Sequence, residues 1–380
     1  MILIKNIHLY DPKDRGKRDV LIAGEKIVLI EDEVPAFSSS LTIIDGKEKY
    51  LVPGFIDNHV HITGGGGEAS FKTRVPELPL SKLIEGGITT VVGLLGTDGY
   101  TRSVENLLAK AKALKEEGVS CYIHTGSYGY PSVSLTDSIS KDIIFIDEVI
   151  GVKIALSDHR SSSITKEELA RLASDARVAG MLSGKAGIVV LHMGDGKRGL
   201  EPIFELLDEG DIPIRTFRPT HVNRNPRLVE EALKFAQLGG LIDITCGESG
   251  ELSTINTLKR AKSMGIDWEN ITLSSDGFGS YSDYDDLGRL IRIGAASVST
   301  LYDEFKSLVL EKEFSLEESL ELVTSNVAKA LSLYPEKGTI QIGSCADLLI
   351  LDPDLELNTV IARGRTMMRE GKITVKGTYE

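Results

Sequence analysis

The stretch Gly54-Phe55-Ile56-Asp57-Asn58-His59-Val60-His61 decides the fold. Tyr50-Leu51-Val52-Pro53 approaches it as extended chain, and Gly64-Gly65-Gly66-Gly67 follows, a run that no regular element favours. Residues two apart on a strand share a face, so His59 and His61 present both imidazoles on one side. Two imidazoles at a strand end can hold a divalent metal. An isolated His-x-His is more often a pair of core or surface histidines. Here the remaining candidate ligands follow in order along the chain.

Working outward, apolar β-branched segments recur at Val52-His59, Thr89-Leu95, Ser120-Thr125, Val149-Ala155, Ile188-His192, Ile214-His221, Leu241-Cys246 and Ile271-Asp276. Helical segments fall between most of them, including Val104-Glu117, Lys166-Ala179, Leu228-Leu238 and Ser253-Met264. Repeated strand–helix alternation predicts an α/β fold, a (β/α)8 TIM barrel over residues 53–335. An open doubly wound sheet also satisfies the alternation; the ligand positions favour the barrel. Ser315-Leu333 is expected as one further helix closing it. Residues 1–52 and 336–380 read instead as short strands and turns, with Asp11-Pro12 and Ala23-Gly24 as turn signals. Neither end alone can bury a core, so both termini are expected to form one small β-sandwich domain.

Composition excludes several classes. The 380 residues carry 43 basic against 56 acidic side chains, a net charge of −13, which argues against nucleic-acid or anionic-membrane partners. No signal-peptide pattern opens the sequence, and the longest uncharged run, residues 118–136, is rich in Ser, Gly and Tyr, unlike a membrane span. Cys121, Cys246 and Cys345 are widely spaced and odd in number, as expected of reduced, buried thiols in a cytoplasmic protein.

In such a barrel the reactive groups lie where strands end. The first strand ends in His59 and His61, the second in Gly96-Thr97-Asp98 and the third in Gly126-Ser127-Tyr128. The fifth ends in His192, the sixth in His221 followed by Asn223 and Arg224, and the eighth in Ser274-Ser275-Asp276-Gly277. Four of the seven histidines therefore fall at strand ends. His8, His124 and His159 show no such pattern and read as structural or supporting residues.

Lys153 lies within the apolar fourth strand, Gly151-Val152-Lys153-Ile154-Ala155. A buried ammonium is costly. An isolated lysine there would snorkel or pair with a carboxylate. Beside four histidines and an aspartate, another reading gains weight: a neutral amine can add carbon dioxide, giving a carbamate whose two oxygens bridge two cations about 3.5–4 Å apart.

His59-x-His61, Lys153, His192, His221 and Asp276 resemble the ligand order of the amidohydrolase superfamily, in its binuclear lysine-carbamate branch. More narrowly, the chain resembles the isoaspartyl dipeptidase (β-aspartyl peptidase) family. The resemblance is carried by Pro53-Gly54-Phe55-Ile56-Asp57 through Gly67-Glu68-Ala69, Val91 through Asp98, and Gly151-Val152-Lys153 with Ser157-Asp158-His159-Arg160. It continues through His192-Met193-Gly194-Asp195, Pro219-Thr220-His221-Val222-Asn223-Arg224-Asn225 and Ser274-Ser275-Asp276-Gly277. Phe278 stands where the family commonly has Asn. The resemblance implies two divalent ions, usually zinc: His59, His61 and Asp276 on one, His192 and His221 on the other, with Lys153 as N6-carboxylysine and a hydroxide between them. It also implies Asp276 as the proton acceptor and donor, Tyr128 as donor to the oxyanion, and an assembly of identical subunits, commonly an octamer.

Charge matching extends to the substrate. A β-aspartyl dipeptide (β-Asp-X) has one ammonium and two carboxylates besides its isopeptide bond. Glu68, Arg160 and Arg224 supply the complementary charges, and arginine forks suit carboxylates. The resemblance places Glu68 at the α-amine, Arg160 and Arg224 at carboxylates, and Thr97 and Ser280 at the aspartyl group. The polar stretch 277–286 reads as a moving lid or a fixed acidic loop. The expected activity is metal-dependent hydrolysis of β-aspartyl dipeptides. A cyclic-amide hydrolase of the dihydroorotase or hydantoinase kind is the alternative, and a non-catalytic scaffold of the same fold a further one.

Overall fold

The computed structural model describes residues 1–285, 287 and 289–380. The chain opens with β1 (Ile2–Tyr10), β2 (Asp14–Ala23), β3 (Lys26–Glu31), β4 (Thr42–Asp45) and β5 (Tyr50–Pro53). Then come β6 (Phe55–Val60), β7 (Ile88–Gly93), β8 (Ser120–Gly126), β9 (Val149–Leu156), β10 (Ile188–Met193), β11 (Phe217–Thr220), β12 (Ile242–Thr245) and β13 (Ile271–Ser274). These last eight strands form one sheet in sequential order, all neighbours parallel. Its two edges meet: the His61 N–H donates to Gly277 O at 2.9 Å, and Val60 bridges Gly277. This is the TIM barrel. Strands such as β7, β9 and β10 are buried along their whole length, which is why they read as unbroken apolar runs.

Helices coat the outside for reasons visible in their sequences. Val104–Glu117 buries Val104, Leu107, Ala111 and Leu114, spaced at three or four residues, and Ser103 caps its start by accepting from Asn106 N. Each fully buried leucine contributes about 1.5–3 kcal/mol. Lys166–Ser183 begins with a reciprocal Thr165–Glu168 capping box and stops at Gly184 in the left-handed conformation.

Two expectations change. The segment Ile214–Thr216 is a 3-10 turn ahead of β11, closed by the Thr216 N–H on Pro213 O. The expected helix over 315–333 is two helices, Leu316–Val323 and Ser325–Ala330, because Thr324 leaves helical geometry at φ −134°. The break lets Asn326 reach under the barrel and donate to Trp268 O and Ile271 O.

The polar stretch 277–286 contains β14 (Ser280–Tyr284), which pairs antiparallel with β15 (Leu290–Ala295); Asp286 lies outside the described residues. After it come β16 (Leu348–Leu351), β17 (Leu357–Ala362), β18 (Arg365–Arg369) and β19 (Lys372–Ile373). Strands from both termini join in one nine-stranded sheet, β5 pairing with both β1 and β16. Ile4, Ile7, Leu9, Ile22, Leu348 and Ile350 pack in its own core. A buried Lys337–Asp347 pair fixes it to the barrel, Lys337 also donating to Ser120 at the start of β8.

Candidate active site

The C-terminal ends of the barrel strands bring the six predicted metal-site residues together. His59 Nε2 lies 2.8 Å from Lys153 Nζ and 3.7 Å from Asp276 Oδ1. His61 Nε2 lies 3.3 Å from the same oxygen, and His221 Nδ1 is 3.9 Å from Asp276 Oδ2. The rings of His59 and His221 are 4.7 Å apart, and those of His192 and His221 4.6 Å. His221 and Asp276 both leave their strands with left-handed backbone, at φ 60° and 51°. That costs about 1–2 kcal/mol for each residue with a side chain.

The donor set fits divalent cations. Among the described residues His59 Nδ1, His61 Nδ1, His221 Nε2 and Asp276 Oδ1 are buried without a hydrogen-bond partner. Such atoms are costly unless something else satisfies them. Ligand atoms of His59, His221 and Asp276 all fall within 4.8 Å of one another. Burial, the largest influence, drives His59, His192 and His221 well below the ordinary imidazole range and lowers His61. Neutral imidazoles are the ligating form. Burial alone would raise Asp276, but the facing His221 and His61 hold it below the usual carboxylate range. Lys153 is lowered to about 7, chiefly by burial, which favours the neutral amine. That form is the one able to add carbon dioxide.

His192 is held differently from the others. The Tyr128 O–H lies 2.8 Å from its Nδ1, and its Nε2 lies 3.2 Å from Asp158 Oδ2. Both nitrogens are engaged, so His192 must release one partner to serve as a ligand. Burial raises the Tyr128 phenol, keeping it a hydrogen-bond donor.

Beside this cluster Glu68, Thr97, Ser280 and Arg160 form one wall. Ser280 Oγ donates to Glu68 Oε1 at 2.9 Å, and Thr97 Oγ1 donates to the same oxygen at 3.3 Å. Arg160 Nη1 lies 3.6 Å from the same oxygen, while Glu68 Oε2 is buried without a partner among the described residues. Arg224 is partly exposed, 4.0 Å from Asp158 Oδ2. A cleft of about 660 Å³ is lined by Arg160, His192, His221, Arg224, Asp276 and Ser280 among others. The glycine run allows close approach of the chain to itself: Cβ atoms at Gly64 and Gly66 would fall 2.1 Å from Val75 O and 2.3 Å from Thr73 O.

Sequence reasoning assigned no role to Asp158. It accepts from Arg160 Nε at 2.9 Å and from Arg160 Nη2 at 2.8 Å, and so ties that arginine to His192. An acid two residues before an arginine at a strand end was the available signal. Deeper in the barrel Asp243 accepts from Asn58, Thr220, Thr272 and Ser274. Asp57 binds Ser275 Oγ at 2.5 Å, and burial pushes it up to about 7. These polar groups sit below the ligands and brace β6, β11, β12 and β13.

Fold and cluster together define a barrel hydrolase. Residues 50–374 match the amidohydrolase family, and the chain belongs to that family. It is similar to a β-aspartyl dipeptidase from Fervidobacterium islandicum AW-1, solved in complex with a β-Asp-Leu dipeptide. The two are 45% identical over 98% of this chain and 97% of that one, with a TM-score of 0.94. More distant relatives are an L-hydantoinase of Paenarthrobacter aurescens, 24% identical over 96% of this chain and 88% of its own length. A 5'-deoxyadenosine deaminase of Methanocaldococcus jannaschii is 25% identical over 98% and 95%. Among the described residues no helix is long and apolar enough to cross a membrane.

Proposed function

We propose that this chain hydrolyses β-aspartyl dipeptides with two divalent cations held by His59, His61, Lys153, His192, His221 and Asp276. The observation that carries the reading is Glu68: a buried carboxylate with one oxygen held by Ser280 and Thr97 and the other open, next to the ligand cluster. An α-ammonium satisfies it. The likeness to a β-aspartyl dipeptidase supports the same substrate.

Cations held by those six residues would supply a lowered pKa for the attacking water and polarisation of the scissile carbonyl. Glu68 anchors the α-ammonium, with Thr97 and Ser280 against the aspartyl group, and Arg160 and Arg224 take carboxylates. Asp276 accepts the proton of the attacking water and delivers it to the departing amine. Tyr128, freed when His192 turns to ligation, donates to the developing oxyanion. Zinc as the cation, Lys153 in its carboxylated form, a cytoplasmic setting and an assembly of identical subunits, on the family's octameric plan, belong to the same reading.

The hydantoinase relative favours a cyclic amide as the second reading. Such a ring brings no ammonium to Glu68. Turnover of β-Asp-Leu, α-Asp-Leu, a hydantoin and dihydroorotate on one metal-quantified preparation separates the two. Cleavage of β-Asp-Leu alone is expected; cleavage of only the cyclic substrates overturns the proposal.

A further inference from the structure

Ser280 and Tyr281 point to opposite faces of β14, yet both line the cleft, so the β14–β15 hairpin meets it edge-on. Ser280 belongs to the Glu68 wall. Tyr281 belongs to a separate arrangement further along. It pairs with Gly294 in the hairpin register, and a Cβ at 294 would fall 2.1 Å from the tyrosine ring and hydroxyl. The ring thus lies across bare backbone, a place that only glycine leaves open. Arg292, its diagonal neighbour on the same face, sets its guanidinium 5.3 Å from the ring centroid. Both side chains line the cleft.

On the β-aspartyl dipeptidase reading, the aspartyl end and the leaving residue occupy different parts of this space. Glu68, Thr97 and Ser280 hold the aspartyl end, and the scissile bond must lie at His192, His221 and Asp276. The same cleft is also lined by Thr245, Cys246, Glu248, Tyr281, Arg292 and Ala295. We propose that Tyr281 and Arg292 form the subsite for the leaving residue's side chain and make it favour an acidic side chain over a basic one. This inference rests on the β-aspartyl dipeptidase reading. Arg292 supplies the charge, and Tyr281 limits its freedom by stacking, so less is lost on binding. Glu248, an acidic group lining the same cleft, opposes this preference.

The test compares kcat/KM for β-Asp-Glu and β-Asp-Lys, with β-Asp-Gly as reference, in the metal-loaded wild type, Arg292→Glu, Tyr281→Ala and Glu248→Gln. Arg292→Glu should lower the Glu-to-Lys ratio about fivefold, the scale of a partly exposed ion pair. Tyr281→Ala should lower it less, and Glu248→Gln should raise it. An unmoved ratio in Arg292→Glu, or a larger shift in Glu248→Gln than in Arg292→Glu, overturns the inference while leaving the dipeptidase reading intact. A wild type that cleaves none of the three peptides overturns the reading itself, and this inference with it.

Discussion

Replacing Glu68 by Gln keeps the side chain's shape and removes its charge. In the structure Glu68 Oε1 accepts from Ser280 and Thr97, and a glutamine oxygen can keep both contacts. Oε2 is the open, buried atom. In the variant an amide N–H₂ stands there and faces the substrate ammonium, donor against donor. Arg160 then faces a neutral oxygen in place of the charged one at 3.6 Å, and keeps both side-chain bonds to Asp158. The lost interaction is therefore one hydrogen bond to a charged group, about 2–3 kcal/mol. That is about 30- to 150-fold in kcat/KM for β-Asp-Leu. Leucine release gives the rate, and N-acetyl-β-Asp-Leu, which has no ammonium, gives the control. The variant should lose less than about threefold on the acetylated peptide, because that substrate never made the charged contact. Equal losses on the two peptides would refute the assignment and leave Glu68 as a group that only positions the loop.

Other outcomes follow from the same site. Asp276→Asn should lower kcat at least about 10²-fold, the ordinary worth of a positioned general base, even in protein shown to carry its metal. Near-normal turnover would remove Asp276 from proton transfer. Lys153→Ala should lower bound divalent metal, read by elemental analysis after gel filtration; full retention would exclude the lysine as a ligand. His124 gives a pH dependence of stability. Burial pushes it down to about 3, from 6.5 in the unfolded chain, so between those values the unfolded state binds the extra proton. Its contribution is complete above pH 6.5 and is lost as pH falls towards 3, by up to about 1.4 kcal/mol per pH unit. His124→Leu should flatten the dependence of the urea midpoint between pH 5 and 6.5, and an unchanged slope would contradict the burial argument.

The barrel was legible because its strands are buried on every side, leaving apolar runs that end abruptly in His, Asp or Thr. Lys153 stood out for the same reason, as a cation inside such a run. The wall residues were legible as charges flanking those ends, although nothing in their spacing shows that Thr97 and Ser280 share a single oxygen of Glu68. The hairpin β14–β15 was missed because its faces are mixed, with Ser, Tyr and Arg sharing one cleft edge. The split at Thr324 was missed because the apolar periodicity runs through it and only the backbone angle records the break. Asp158 and Asp243 were missed because a buried acid looks like an exposed one until its partners from other strands are known. Those partners lie up to 185 residues away, as for Asn58 and Asp243.

The sheet shared by the two ends of the chain has a consequence for how the molecule is made. β5 cannot pair with β16 until roughly 300 more residues have left the ribosome, about 15–60 s at ordinary rates of synthesis. Throughout that interval the side of β5 that β16 will cover is a bare strand edge, a template for another nascent chain. Pro53, at the end of β5, lacks an N–H and shortens that edge by one donor. A burden on holdase chaperones during translation, rather than a shortage of finished stability, would then limit the yield of this protein in a fast-translating host.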